Sequence, residues 1–156
     1  MPTGTAQLLA VLGLPAFVES RRFDVLAANP LATALSPAIT AGANRLRSVL
    51  LDPAEQALLP DWERAVGGMI ASFRTSVGPG RPDPATARLI DELMAGSELF
   101  RTHWSRHDVR PLEGAGLVMA HPAVGRLDLR REKLGVGGTD GPVSYTHLTL
   151  PTILRV

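Results

Sequence analysis

Histidines are the residues whose type and spacing point most directly to chemistry. His103 and His107 stand four apart on a stretch that reads as helix, so they project from one face, with Asp108 adjacent and His121 further on. That set has the ingredients of a metal site, and with it of a small metal-dependent hydrolase using His103, His107 and His121. The zincin pattern, however, needs a glutamate directly after the first histidine, and Trp104 holds that place. The plainer arrangement puts Trp104 in the core, His103 at the surface and His107 in a hydrogen bond near the helix end. None of Ser36, Ser48, Ser72, Ser76, Ser97 and Ser105 sits in a G-x-S-x-G elbow. Gly78 with Gly80, and Gly114 with Gly116, lack the third glycine and the lysine of a phosphate cradle. Asp91 and Glu92 are consecutive on a helix, so they do not face each other as paired carboxylates would.

Composition narrows the classes further. The 156 residues include no cysteine, which excludes disulfide scaffolds, thiol nucleophiles and thiolate metal sites. A hydrophobic fraction of 45% with 20% charged residues fits one globular domain. Sixteen basic residues against fifteen acidic ones supply no basic field for nucleic acid, and the cluster of Arg126, Arg130, Arg131 and Lys133 is offset by Asp128 and Glu132. Aromatics total 4%, too few for a base-stacking platform. The longest uncharged apolar stretch, Leu8 to Val18, is only 11 residues and is interrupted by Gly13 and Pro15, where a membrane-spanning helix needs about 20. Nothing positively charged precedes it as in a signal peptide, so the expected location is the cytoplasm, with no membrane partner.

The elements that position these residues follow from period and punctuation. Gln7 to Leu12 reads as a short helix ended by Gly13 to Pro15. Ala16 to Glu19 and Phe23 to Ala27 read as a hairpin turning at Ser20 to Arg22. A helix is expected over 30–35, and 36–44, rich in Pro, Gly, Ala and Thr, as loop. Asp52–Pro53 and Asp83–Pro84 are helix starts: the carboxylate accepts a free first-turn amide, and proline there loses no intrahelical bond. Helices are therefore expected over 53–59 and 84–95, with another over 61–77 after the break at Pro60. Ser97 caps one more over 97–106. Strands close the pattern at 117–120 and 126–130, the latter with Asp128 and Arg130 on a wet face. Helices between an early hairpin and later strands predict an α+β fold, a small antiparallel sheet covered by several helices. Trp62, Val66, Met69, Ile70 and Phe73 share one helical face, and Leu93, Phe100 and Trp104 extend it. Such faces form a core, and over a small sheet they can also wall a ligand pocket.

After Gly141–Pro142 the chain changes character. Val143 to Thr152, VSYTHLTLPT, reads as the in-frame translation of a transposon-end sequencing adapter, with a genuine final strand as the alternative. Residues 143–156 are therefore expected to be a non-native tail, and His147 and Tyr145 are set aside from any site. Arg155 is the only charged residue after position 142, so residues 1–142 balance at fifteen against fifteen.

PAFVESRRFDVLAAN at 15–29, LLDPAEQALLPDWE at 50–63, FRTHWSRHDVR at 100–110 and HPAVGRLDL at 121–129 together resemble the MmyB-like transcription-regulator ligand-binding domain. The resemblance spans roughly residues 7–140 and implies a PAS-like fold that follows a helix-turn-helix DNA-binding domain. It implies a small apolar ligand, with fatty acids the leading class, and no enzymatic role, catalytic residue or cofactor. DNA would be reached only through the parent regulator's helix-turn-helix domain, and a homodimer is compatible with that role. Residues 1–14 correspond to the linker helix after that domain, so the chain reads as a gene fragment carrying the ligand-binding domain at 15–142. Carried over by position, the motifs mark Asn29, Trp104, His107, Asp108 and Arg110, with His107 or Arg110 as partner for a ligand carboxylate. Ala28 stands where the family commonly has tryptophan, which reshapes the expected pocket.

Overall fold

Local capping chemistry builds most of the helices. The computed structural model describes residues 3–106, 116–136 and 143–149. Helix α1 (Thr3–Val11) leads into strands β1 (Ala16–Glu19) and β2 (Val25–Ala28) and then α2 (Pro30–Leu35), whose N-cap is Asn29. Asp52 accepts the Ala54 amide at the start of α4 (Pro53–Ala57), and Asp83 accepts those of Ala85 and Thr86 at the start of α6 (Pro84–Gly96). Ser97 accepts the Phe100 amide to open α7 (Glu98–Ser105), and α5 (Trp62–Val77) begins just beyond Pro60.

Several elements differ from the sequence reading: α1 begins at Thr3 rather than Gln7, and the strand expected over 126–130 runs on to Val136. Helix α3 (Arg45–Leu51) has no counterpart there, although its buried Leu46, Val49 and Leu50 have helical spacing and Asn44 caps it on the Arg47 amide. Seven residues are too few for a period to stand out. Strand β2 starts at Val25 rather than Phe23, because Phe23 has a positive φ of 67° and closes the hairpin turn. Its ring belongs instead to the helical core. Helix α4 ends at Ala57, two residues short of expectation.

Strands β3 (Gly116–His121), β4 (Gly125–Val136) and β5 (Val143–Thr149) complete one five-stranded sheet in the order β2-β1-β5-β4-β3, every neighbouring pair antiparallel. With seven helices among the described residues, this is the α+β fold expected. The expected non-native stretch thus supplies the middle strand, paired with β1 through Phe17↔Thr146 and with β4 through Arg131↔Leu148. No helix among the described residues is long and apolar enough to cross a membrane.

Two apolar layers hold the fold. Phe23 packs with Leu46, Val66, Ile70, Phe73, Leu93 and Phe100 in a core shared by α3, α5, α6 and α7. A smaller cluster of Leu35, Leu58, Met119 and Leu129 joins α2 and the end of α4 to the sheet. There the Ala120 amide donates to the Leu58 carbonyl at 2.8 Å, tying β3 to the helical layer. Strand β1 is covered on both faces: Ala16 and Val18 lie with Leu9 of α1, and Phe17 lies with Ala32 and Ile39.

Candidate functional site: a cavity between sheet and helices

Register decides which charged side chains meet beneath the helices. Thr146 and Leu148 are two apart on β5, and their partners Phe17 and Arg131 therefore share a sheet face, together with Glu19. Arg45, the first residue of α3, reaches down onto that face. Its guanidinium bonds Glu19 Oε2 at 2.5 Å and stands 4.6 Å from the centre of the Phe17 ring. Glu19 is 2% exposed, so its charge relies on Arg45.

Arg131 comes up from β4 beside this pair. Its side chain has no hydrogen-bonding or ion-pair contact among the described residues. Burial, and then the neighbouring Arg45 guanidinium, pull its pKa below the ordinary arginine value, while Glu19 acts in the opposite direction. A cation is thus held in a partly desolvated place without a contact anion among those residues.

A cavity of about 50 Å³ opens over this face. Phe17, Leu117, Met119 and Arg131 form the sheet side, Arg45 and Val49 of α3 the roof, and Glu55 of α4 with the 36–39 turn one wall. A second cavity of about 130 Å³ adjoins it, and the two share Leu59, Leu117 and Arg131. Arg131 therefore stands at the junction of the two spaces.

The residues singled out from the sequence lie elsewhere. Val66, Met69, Ile70, Phe73, Leu93 and Phe100 are buried against one another in the helical core. Trp104 stacks on Phe100 with ring centres 5.1 Å apart, and the Arg74 guanidinium lies over the Trp104 ring at 4.8 Å. The helical faces meet each other rather than the sheet, so none of these side chains lines the sheet-side cavity. Trp62 donates its indole N–H to the Val49 carbonyl at 2.7 Å and borders a separate open groove of about 530 Å³ with Glu63, Glu98 and Leu99. Asn29 is a pin. Its Oδ1 accepts the amides of Ala16 and Ala32, and its Nδ2 donates to the Leu14 carbonyl at 2.7 Å. His107, Asp108 and Arg110 lie outside the described residues.

The other two histidines do not converge on a ligand. The His121 Nδ1 accepts the Ala123 amide, which leaves Nε2 to donate to the Ala34 carbonyl at 2.8 Å, so both ring nitrogens are engaged. His103 is half-buried rather than at the surface, its ring packed on Gly67 of α5, and its Nδ1 has no partner among the described residues. No three metal-ligating side chains come together among the described residues.

Sequence reasoning missed Arg45, Glu55 and Arg131. Arg131 reads from sequence as part of a solvated charged strand, and the available signal is its alternation with the buried Leu129. Glu55 reads only as a first-turn acid, though a carboxylate three residues before the buried Leu58 falls on the same side of α4.

No curated protein matches the chain. A family model does, over residues 1–150: that of the MmyB-like transcription regulator ligand binding domain. That match takes in nearly the whole chain, all five strands and both cavities, and the chain therefore belongs to the MmyB-like transcription regulator ligand binding domain family.

Proposed function

We propose that this chain is the ligand-sensing, non-catalytic part of a cytoplasmic bacterial helix-turn-helix regulator, PAS-like in fold. Its ligand is a small apolar carboxylic acid, with fatty acids the leading class, bound in the sheet-side cavity. DNA is contacted only by the parent regulator's own DNA-binding domain. One observation carries the reading: Arg131 stands at the junction of two cavities that share Leu59 and Leu117, with no anionic contact partner among the described residues. A ligand carboxylate would supply that partner through a charge-assisted, bidentate hydrogen bond. The acyl chain would lie against Leu59 and Leu117, which line both spaces.

Volume sets a condition on this binding. Ligand pockets usually measure about 300–1,000 Å³, and cavities of about 50 and 130 Å³ fall short of that. A long acid must therefore part Leu59 from Leu117 and merge the two spaces. That movement is a means by which occupancy changes the shape of the domain.

The test is calorimetric titration of straight-chain acids of increasing length, with Arg131→Met alongside. Each buried methylene contributes about 0.8 kcal/mol before ordering costs, so affinity should climb with length until the merged space is full. Arg131→Met should weaken every acid by about tenfold or more. The unliganded variant should also melt higher, because a desolvated, unpaired cation is replaced by an apolar side chain. Equal affinity across the series would rule out an acyl pocket. Unchanged affinity in the variant would remove Arg131 from the site.

A further inference from the structure

Glu55 is the polar group of the sheet-side cavity that a plain acid would leave unused. It is 7% exposed, in a wall shared with Ser36, Ala38, Ile39, Leu58 and Leu59. A buried carboxylate is costly unless its oxygens are well supplied with donors. Oε2 accepts the Ser36 hydroxyl at 2.6 Å, whereas among the described residues Oε1 has only the Ala38 amide at 3.4 Å, at the weak end of hydrogen-bond range. No cation pairs with Glu55 among the described residues. A carboxylate offers about four lone-pair sites, so Oε1 retains acceptor capacity in a residue that lines the cavity.

Arg131 presents the opposite need in the same space, with donors and no acceptor. A ligand that satisfies both must carry an acceptor and a donor close together, since the cavity that they share measures only about 50 Å³. We propose that this cavity selects acids bearing a hydroxyl near the carboxylate, with Arg131 taking the carboxylate and Glu55 Oε1 accepting the hydroxyl proton. The inference rests on the acid-binding reading above and adds the ligand's second polar group. Both kinds of acid bring the same carboxylate charge, so what separates them is the acceptor that a plain acid leaves unfilled. If Glu55 served only to hold the 36–38 turn, the hydroxyl would bring no advantage.

The experiment compares decanoate with 3-hydroxydecanoate by calorimetry on the full chain, wild type and Glu55→Gln. The wild type should bind the hydroxy acid about tenfold more tightly, the scale of one hydrogen bond to a charged group. In Glu55→Gln that ratio should fall toward one. Equal wild-type affinities for the two acids overturn the inference and leave the acid site standing, an outcome that does not depend on the variant folding. A preference that survives intact in a folded Glu55→Gln removes Glu55 from the site and overturns the assignment. Binding of neither acid overturns the acid site and this inference together.

Discussion

At the scale of single residues, Asn29 separates a motif's position from its purpose. The motifs mark it as a ligand contact, and its amide is consumed by the fold: two acceptances and a donation link the end of the α1 loop, β1 and the first turn of α2. Asn29→Ala should cost about 2–4 kcal/mol in urea unfolding, from a lost helix cap together with a buried Ala16 amide left unsatisfied. Fatty-acid affinity of the folded fraction should stay within twofold. A stable variant with lost affinity would instead place Asn29 in the ligand site. Arg131 is the reverse case, a residue with no polar partner among the described residues, whose removal should stabilise the chain. His103 shows why a side chain's type is a weak guide: its ring fits against Gly67, where a Cβ would come within 3.1 Å of Cε1, so it serves helix packing.

At the scale of elements, short-range chemistry is readable wherever a cap and a proline or a long apolar period coincide. Helices α2, α5, α6 and α7 begin within a residue of expectation because Asn29–Pro30, Pro60, Asp83–Pro84 and Ser97 leave the backbone few alternatives. Helix α3 lacks such a proline, and its course follows from Leu46, Val49 and Leu50 finding α5 and α6 to pack on. Asp83 also offers a pH test. Its pKa is held below the ordinary value, first by the Thr86 hydroxyl, then by the Thr86 and Ala85 amides and the Arg22 charge. A depressed carboxyl stabilises the fold above its unfolded pKa, near 4, and that contribution disappears as pH falls through the folded value. Asn is an equally good cap, so Asp83→Asn isolates the charge. Its melting temperature should lie below wild type at pH 6, with the gap closing near pH 2. A gap constant with pH would assign the effect to geometry alone.

At the scale of the whole molecule, the sheet depends on its middle strand. Strand β5 joins the β1–β2 hairpin to the β3–β4 hairpin, and the cavity's sheet side draws Phe17 from one and Arg131 from the other. A strand in that slot is held by backbone ladders on both sides, which an extended segment of β-prone residues can form whatever its origin. Deleting residues 143–156 should expose the inner edges of β1 and β4, lower the melting temperature sharply and promote association. The adapter reading adds that an alternating, β-branched strand in place of VSYTHLTLPT should raise the melting temperature above that of the present chain. A fall on replacement, measured by scanning calorimetry, would favour the decapeptide as a strand suited to this sheet.

By itself the sequence determined the α+β class, the caps, the hairpin, the antiparallel sheet and, through four motifs in order, the family. Each of these rests on contacts within a few residues or on a chain-long pattern. The sequence also marked which side chains are apolar, without saying what their faces would meet. That choice belongs to tertiary structure. The faces of α5, α6 and α7 close on one another, so the strongest apolar stripe became core. The cavity formed instead where α3 and α4 span the sheet. Its charged residues Arg45, Glu55 and Arg131 are scattered over more than eighty positions. Only strand register and helix placement bring them onto one cavity, because the pairing of β5 with both β1 and β4 is a long-range event that no local spacing encodes.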